Sequence, residues 1–378
     1  MSDWFGQNIP KLGFGLMRLP KLSSGEIDLE QTKKMVDMFI EQGLTYFDTA
    51  YVYDDGKSEE AAREALVYRH PRKSFTLATK LFVGAKGCKS EEDAKKQFNT
   101  SLERTGAGYF DYYLLHCLMR DNYSKYEEWH LWDYVKELKE KGLIKHYGFS
   151  FHADPEFLEQ ILNEHPDVDF VQLQLNYADW ESENVASRRC YEIARKHGKS
   201  IVVMEPVKGG ALANPPESVK AVFDATGKKA SYASWAIRYV AGKEGILTVL
   251  SGMSNIEQMK DNLSYMAKFE PMTDEENAVV EKAQEVLKNI KGIPCTACHY
   301  CTSGCPVNMP IPEILAASNV AERDLDLWGG QVAYNEATGK EKAAKASECI
   351  ECNQCESVCP QHIQIVSELK KAAERFEH

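Results

Sequence analysis

The sequence predicts an α/β chain, a (β/α)8 TIM barrel followed by a small helical domain, on three observations. Eight short apolar segments recur before residue 290, each followed by a stretch long enough to form a helix. Those stretches have helical periodicity, and several stop at glycine just after the last apolar position. From Lys291 onward the pattern gives way to two cysteine quartets set in helical sequence. The expected division is therefore 1–290 for the barrel and 291–378 for the second domain.

In chain order the strand candidates are 12–17, 44–50, 74–80, 110–116, 145–150, 169–175, 200–206 and 245–252, all short and rich in apolar, β-branched or aromatic residues. Between them, 31–43, 91–106, 154–165 and 183–198 have the spacing of amphipathic helices, and 273–290 closes the barrel. An open doubly wound sheet is the competing arrangement. It is weakened by the first turn, Gly13-Phe14-Gly15-Leu16-Met17-Arg18, which lacks the third glycine of a dinucleotide fingerprint.

Cys295, Cys298, Cys301 and Cys305 form a C-x2-C-x2-C-x3-C run closed by Pro306, and Cys349, Cys352, Cys355 and Cys359 repeat it before Pro360. Zinc sites usually use two separated C-x2-C pairs, and a disulfide framework needs an oxidising compartment. The doubled run resembles bacterial ferredoxins with two [4Fe–4S] clusters. That resemblance implies a crossed ligand set: Cys295, Cys298, Cys301 and Cys359 on one cluster, and Cys349, Cys352, Cys355 and Cys305 on the other. Residues 306–348, between the quartets, carry helical patterns at 312–327 and 340–349, so a helical ferredoxin-like module is expected.

A formal charge of −12 argues against nucleic acid, whose phosphates need a basic face. No apolar run approaches the ~20 residues that span a bilayer. The first residues have neither a basic region nor an apolar one, and Cys88, Cys117 and Cys190 read as dispersed reduced thiols, so the expected location is the cytoplasm.

Reactive groups of such a barrel sit where strands end. Asp48 and Tyr53 follow the second strand, Lys80 ends the third and His116 the fourth. A phenol can protonate a carbonyl oxygen as it becomes an alkoxide, and a nearby ammonium lowers the phenol's pKa. Asp48 would hold that ammonium, and His116 would orient the carbonyl. Cys117, beside His116, reads as buried filler.

These four residues, with Gly13-Phe14-Gly15, Met17-Arg18, Asp48-Thr49-Ala50-Tyr51-Val52-Tyr53, Thr79-Lys80, Asp111 to His116, Gly148-Phe149-Ser150, Gln172, Asn176-Tyr177 and Ser251 to Asn262, resemble the aldo-keto reductases. With the cysteine quartets, the chain is similar to members with a C-terminal 4Fe–4S dicluster domain. The resemblance implies an oxidoreductase that reduces a small carbonyl compound, or oxidises the alcohol, with NADP(H) or NAD(H). It implies that Ser150 and Gln172 hold the nicotinamide carboxamide, with Asn176 close by. Gly252, Ser254, Gln258 and Asn262 would hold the adenosine phosphate. Two positions depart from the pattern. Met204, followed by Glu205, stands where an aromatic residue commonly stacks on the nicotinamide, and Gln258 stands where an arginine often pairs with the 2′-phosphate. Lys260 is then the only nearby base, and any preference for NADP(H) is expected to be modest.

Hydride transfer moves two electrons, whereas each cluster accepts one, and a flavin is the usual switch between them. The alternative function is therefore an electron-transfer protein. In it the barrel binds a flavin or docks a redox partner protein, and the clusters relay electrons.

Overall fold

The computed structural model describes residues 9–183, 185–341, 343–359 and 361–377. The chain divides into two compact units: one runs up to Val207 and includes Lys229–Val280, and the other comprises Lys208–Lys228 and the chain from Glu281.

The first unit is a closed parallel barrel with strands in sequence order. They are β1 Leu12–Gly15, β2 Tyr46–Asp48, β3 Thr76–Leu81, β4 Phe110–Leu118, β5 Ile144–Phe151, β6 Phe170–Gln174, β7 Ser200–Met204 and β8 Ile246–Ser251. The first two strands are shorter than the sequence suggests, because their apolar character continues into tight turns. Leu16–Arg18 forms a 3-10 turn after β1, and Tyr53–Gly56 forms another beyond β2. β4 runs two residues past His116, accommodated by a register shift between Leu115 and Leu118 and a positive φ of 59° at Cys117.

Helix signals in the sequence act as physical caps. Asp28, Ser90 and Asp154 accept hydrogen bonds from Gln31, Asp93 and Phe157 backbone N–H groups. Pro155 occupies the first turn of the helix Pro155–Glu164, where its missing N–H is harmless. Gly106 ends the helix Glu91–Thr105 at φ 63°.

A buried layer of Tyr46, Ala78, Tyr112, Leu114, Phe170, Val202, Leu247 and Leu250, with Ile9, forms one core cluster of the unit. Tyr46 and Tyr112 pack 5.0 Å apart between ring centres, and Phe170 meets Tyr112 edge-on at 5.4 Å. Strand side chains alternate with period two. The residues two positions beyond Tyr46, Ala78, Leu114, Phe170 and Val202 are Asp48, Lys80, His116, Gln172 and Met204. One pattern thus puts an apolar layer beneath and the chemically active groups above it, toward the strand C-terminal ends.

The second unit builds its core from the helices Ile311–Glu322, Leu327–Thr338 and Ile365–Phe376. Ile314, Leu315, Ala317, Tyr334, Leu369 and Ala372 are buried together, and Tyr334 stacks on Phe376 at 4.8 Å. A Cβ on Gly330 would lie 2.7 Å from Ala321 Cβ, so glycine lets the first two helices approach closely. Two sequence expectations need correction. The helix expected over 312–327 stops at Glu322, because the chain reverses at Leu325 (φ 52°) and Asp326 caps a new helix through Gly329 N. The pattern at 340–349 yields only a 3-10 turn, Ala346–Glu348, opened by a capping interaction in which Glu348 accepts from the Lys345 N–H and ended by extended backbone at Cys349; Lys342 lies outside the described residues.

Candidate active site and cysteine pockets

Lys80 is fully buried, and its ammonium donates to Asp48 Oδ1 at 2.6 Å and to the Thr49 carbonyl at 2.6 Å. Sequence reasoning did not single out Thr49, because a backbone acceptor leaves no mark on residue type. The ammonium also lies 4.7 Å from the centre of the Tyr53 ring. His116 meets that ring edge-on at 5.8 Å, and Phe82 closes the other side of the imidazole at 5.5 Å. The Tyr126 hydroxyl donates to the His116 carbonyl and steadies the strand end. The structure therefore brings Asp48, Tyr53, Lys80 and His116 into one cluster.

Burial sets the electrostatics of this cluster. It pulls the Lys80 ammonium toward neutrality, but Asp48 and Tyr53 outweigh it and hold Lys80 above its ordinary value. Burial raises the Asp48 carboxyl, with Lys80 opposing. Burial also holds Tyr53 above the ordinary 10.0; Lys80 pulls it back without overcoming the effect. The expected net lowering of the phenol is thus corrected: the ammonium moderates a rise. Burial, then Lys80, then His152 keep His116 well below 6.5, so its imidazole is neutral at physiological pH. Its Nδ1 is buried with no partner among the described residues.

The residues expected around a nucleotide fall into three groups. Ser150 and Gln172 are buried neighbours in register on β5 and β6. Ser150 Oγ accepts from Cys117 N at 2.7 Å at the β4 bulge, and the Cys117 thiol is half-buried. Gln172 Nε2 donates weakly to Met204 Sδ at 3.5 Å, while Gln172 Oε1 is buried with no partner among the described residues. Asn176 is buried and committed within the protein: Nδ2 donates to Asp179 Oδ2 (2.8 Å) and to the Glu205 carbonyl (3.2 Å), and Oδ1 accepts from Asp179 N (2.8 Å). It holds the turn after β7, where Glu205 takes a φ of 54°.

After β8, Gln258 is exposed; its Oε1 accepts from Ser254 N at 2.7 Å and its N donates to the Asn255 cap at 2.8 Å. Asn262 donates to the Gln258 carbonyl at 2.9 Å and leaves Oδ1 buried with no partner among the described residues. Lys260 is not the only base near this loop, because a Cβ on Gly252 would lie 3.6 Å from Arg18 Cβ.

In the second unit the eight cysteines line two small cavities. One is lined by Cys295, Cys298, Cys301 and Cys359, the other by Cys305, Cys349, Cys352 and Cys355. The loops share one backbone course. Positive φ occurs at Ala297, His299 and Asn308 in the first and at Glu351, Asn353 and His362 in the second. Each such residue costs roughly 1–2 kcal/mol outside glycine, and the repeated cost marks two loops shaped around one kind of occupant. Burial pushes the Cys301 and Cys355 thiols up to about 11.

Residues 11–285 match the aldo/keto reductase family, and residues 294–364 match the 4Fe-4S dicluster domain. An uncharacterized oxidoreductase of Bacillus subtilis, YqkF, is 26% identical over 69% of this chain and 94% of its own. L-galactose dehydrogenase of Arabidopsis thaliana is 24% identical over 75% and 93%. Among solved structures, aldo-keto reductase AKR11C1 from Bacillus halodurans in its holo form is 25% identical with a TM-score of 0.58, covering 73% of this chain and 92% of that one. An aldo-keto reductase from Klebsiella pneumoniae in complex with NADPH shares the fold at 21% identity and a TM-score of 0.56, over 72% and 90%. Among the described residues no helix is long and apolar enough to cross a membrane. With its family match covering the barrel and its buried Asp48–Lys80 pair under Tyr53, the chain belongs to the aldo/keto reductase family of oxidoreductases and carries a 4Fe-4S dicluster domain after the barrel.

Proposed function

We propose that the barrel transfers a hydride between NAD(P)H and a small carbonyl compound, with Tyr53 as proton donor and two [4Fe–4S] clusters held by the crossed cysteine sets. The observation that carries the reading is the buried Lys80, bound to Asp48 and Thr49 beneath the Tyr53 ring. The nicotinamide, when bound, supplies the hydride. Neutral His116 donates an N–H to the carbonyl oxygen and aligns it. Tyr53 gives its proton to that oxygen as negative charge develops there. The phenolate left behind faces the Lys80 ammonium, which Asp48 keeps charged and fixed. The reverse direction uses the same phenolate as base.

Two buried oxygens without a partner among the described residues suit the cofactor. Gln172 Oε1 can accept from a carboxamide, and Asn262 Oδ1 from an adenine amine or a ribose hydroxyl. Each four-cysteine cavity offers the thiolate donors a cubane needs. The dicluster match and the aldo-keto reductase crystallised with NADPH support the same cofactors. The function test is simple: NADPH or NADH is expected to be consumed only after a carbonyl compound is added. Stoichiometric anaerobic oxidation of the cofactor without one, with about one NAD(P)H per chain reducing the two one-electron clusters, would favour electron transfer through a flavin.

The pH dependence follows from the shifts. With Tyr53 above 10.0 and His116 well below 6.5, carbonyl reduction should be nearly flat between about pH 6 and 9. It should fall at higher pH as the donor proton is lost, while alcohol oxidation rises. His116 has a depressed folded pKa, so its contribution to stability is complete above 6.5 and is lost as pH falls below that value. A steep limb at 6.5 that disappears in His116→Gln would contradict a neutral imidazole.

Cofactor choice gives a further expectation. Because position 258 lacks a guanidinium, Gln258→Arg should shift the ratio of kcat/KM for NADPH over NADH upward by roughly tenfold, the scale of one charge-assisted contact. No change in that ratio would mean that residue 258 does not face the nucleotide.

A further inference from the structure

We infer that Arg104 is a positioning residue for the reaction, fixing from outside the barrel the turn that aims Tyr53 at the carbonyl; this rests on the hydride-transfer reading above. Neighbouring residues of a strand face opposite ways, and the two faces of β3 hold the tyrosine segment together. Lys80 points inward, and its ammonium donates to the Thr49 carbonyl at 2.6 Å. Thr79 points outward and donates from Oγ1 to Glu59 Oε1 at 2.7 Å. Glu59 is fully buried in the helix Lys57–Ala62 and accepts from Arg104 Nη1 at 3.2 Å. The same nitrogen donates to the Tyr51 carbonyl at 2.9 Å, and the guanidinium lies 4.5 Å from the centre of the Tyr51 ring. Two cations thus hold alternate carbonyls of one segment, Thr49 from within and Tyr51 from without.

That segment needs holding. Tyr53 N donates to the Ala50 carbonyl at 3.1 Å, so a shift of the backbone at Tyr51 carries Tyr53 with it. The next three residues, Asp54, Asp55 and Gly56, have φ of 51°, 52° and 90°. Left-handed backbone is strained outside glycine and persists only where its surroundings over-determine it. Lys21 takes Asp54 from the solvent side at 2.5 Å. Arg104 covers Gly56 so closely that a Cβ there would lie 2.4 Å from Cζ. Glycine is required twice at this position, for its φ and for the arginine above it.

Neutralising the buried Glu59 would by itself need neither the bond to Tyr51 nor the contact with Gly56. The guanidinium makes both, and each falls on the turn that carries the proton donor. Arg104 reaches neither the carbonyl compound nor the nicotinamide; it acts through Tyr53.

The test measures kcat and KM for carbonyl reduction, and Kd for the nucleotide, on the full cluster-loaded chain. The variants are Arg104→Lys and Arg104→Met/Glu59→Gln, the second of which strands no buried charge. The double variant should lower kcat by roughly ten- to a hundredfold, the scale of a slightly displaced catalytic group, with KM and Kd within about twofold of wild type. Backbone hydrogen exchange across 51–56 should quicken in the same variant. Arg104→Lys, whose ammonium has donors for both Tyr51 and Glu59, should keep kcat within about threefold of wild type. A folded double variant with wild-type kcat overturns the inference. So does Arg104→Lys as slow as the double variant, because the bond to Tyr51 would then not be what counts. Should the double variant not fold, Gly56→Ala takes its place. Its methyl displaces the guanidinium from the turn and leaves both charges, the same loss is expected, and an unchanged kcat overturns the inference. A wild type that reduces no carbonyl compound with either nucleotide overturns the hydride-transfer reading, and the inference with it.

Discussion

Tyr53→Phe is expected to lower kcat for carbonyl reduction by a factor on the order of 10²–10⁴, about 3–5 kcal/mol of transition-state stabilisation, with nucleotide affinity nearly unchanged. The substitution removes one oxygen and keeps the ring that His116 meets edge-on and Lys80 underlies. It therefore isolates the proton transfer. Lys80→Met should cost as much in rate, because burial would then raise the Tyr53 phenol unopposed. It is the less clean experiment. Asp48, only 2% exposed, would be left without its partner, and an unpaired buried charge destabilises by roughly 3–5 kcal/mol. Full activity in Tyr53→Phe, measured with the substrate on which the wild type is fastest, would remove Tyr53 from the mechanism.

The second large effect is loss of iron. Wild type should hold about eight iron and eight sulfide per chain, from two four-iron cubanes. Paired substitutions then read out the ligand sets. Cys301 and Cys359 line the same cavity although they belong to different sequence quartets, so Cys301→Ala/Cys359→Ala should damage one cluster and leave about four iron. Cys355 and Cys359 are neighbours in sequence but line different cavities, so Cys355→Ala/Cys359→Ala should damage both clusters. If each quartet closes on its own cluster, the two outcomes exchange. One or two zinc atoms and no sulfide would overturn the cluster reading itself.

Much of this architecture is legible from residue order because the barrel obeys one period. Alternation along β2, β3, β4, β6 and β7 turns a buried Tyr46, Ala78, Leu114, Phe170 or Val202 into a site-facing residue two positions later. Strand ends mark Asp48, Lys80 and His116 before any coordinates are known. The cysteine spacing is equally direct. Less legible is whatever depends on backbone groups or on residues distant in sequence. Thr49 contributes a carbonyl, which any residue could supply. Arg18 and Gly252 are 234 positions apart and meet only because the barrel closes β1 against β8. The sign of the Tyr53 shift depended on burial against Lys80, a balance that residue types do not reveal. The helical pattern at 312–327 outruns the helix for a local reason: Leu325 adopts a left-handed conformation that its residue type does not advertise.

The most direct test of the account is the fate of the hydride. The cluster-loaded protein is incubated anaerobically with nicotinamide cofactor deuterated at the transferring C4 position and with a set of small aldehydes and ketones, and the products are analysed by mass spectrometry. Hydride transfer should give alcohol carrying one deuterium on the former carbonyl carbon, no change in the cluster absorbance near ~400 nm, and loss of labelled product in Tyr53→Phe. Oxidation of the cofactor with bleaching of that absorbance, and with no deuterium in any alcohol, would contradict it and make the barrel an entry point for electrons.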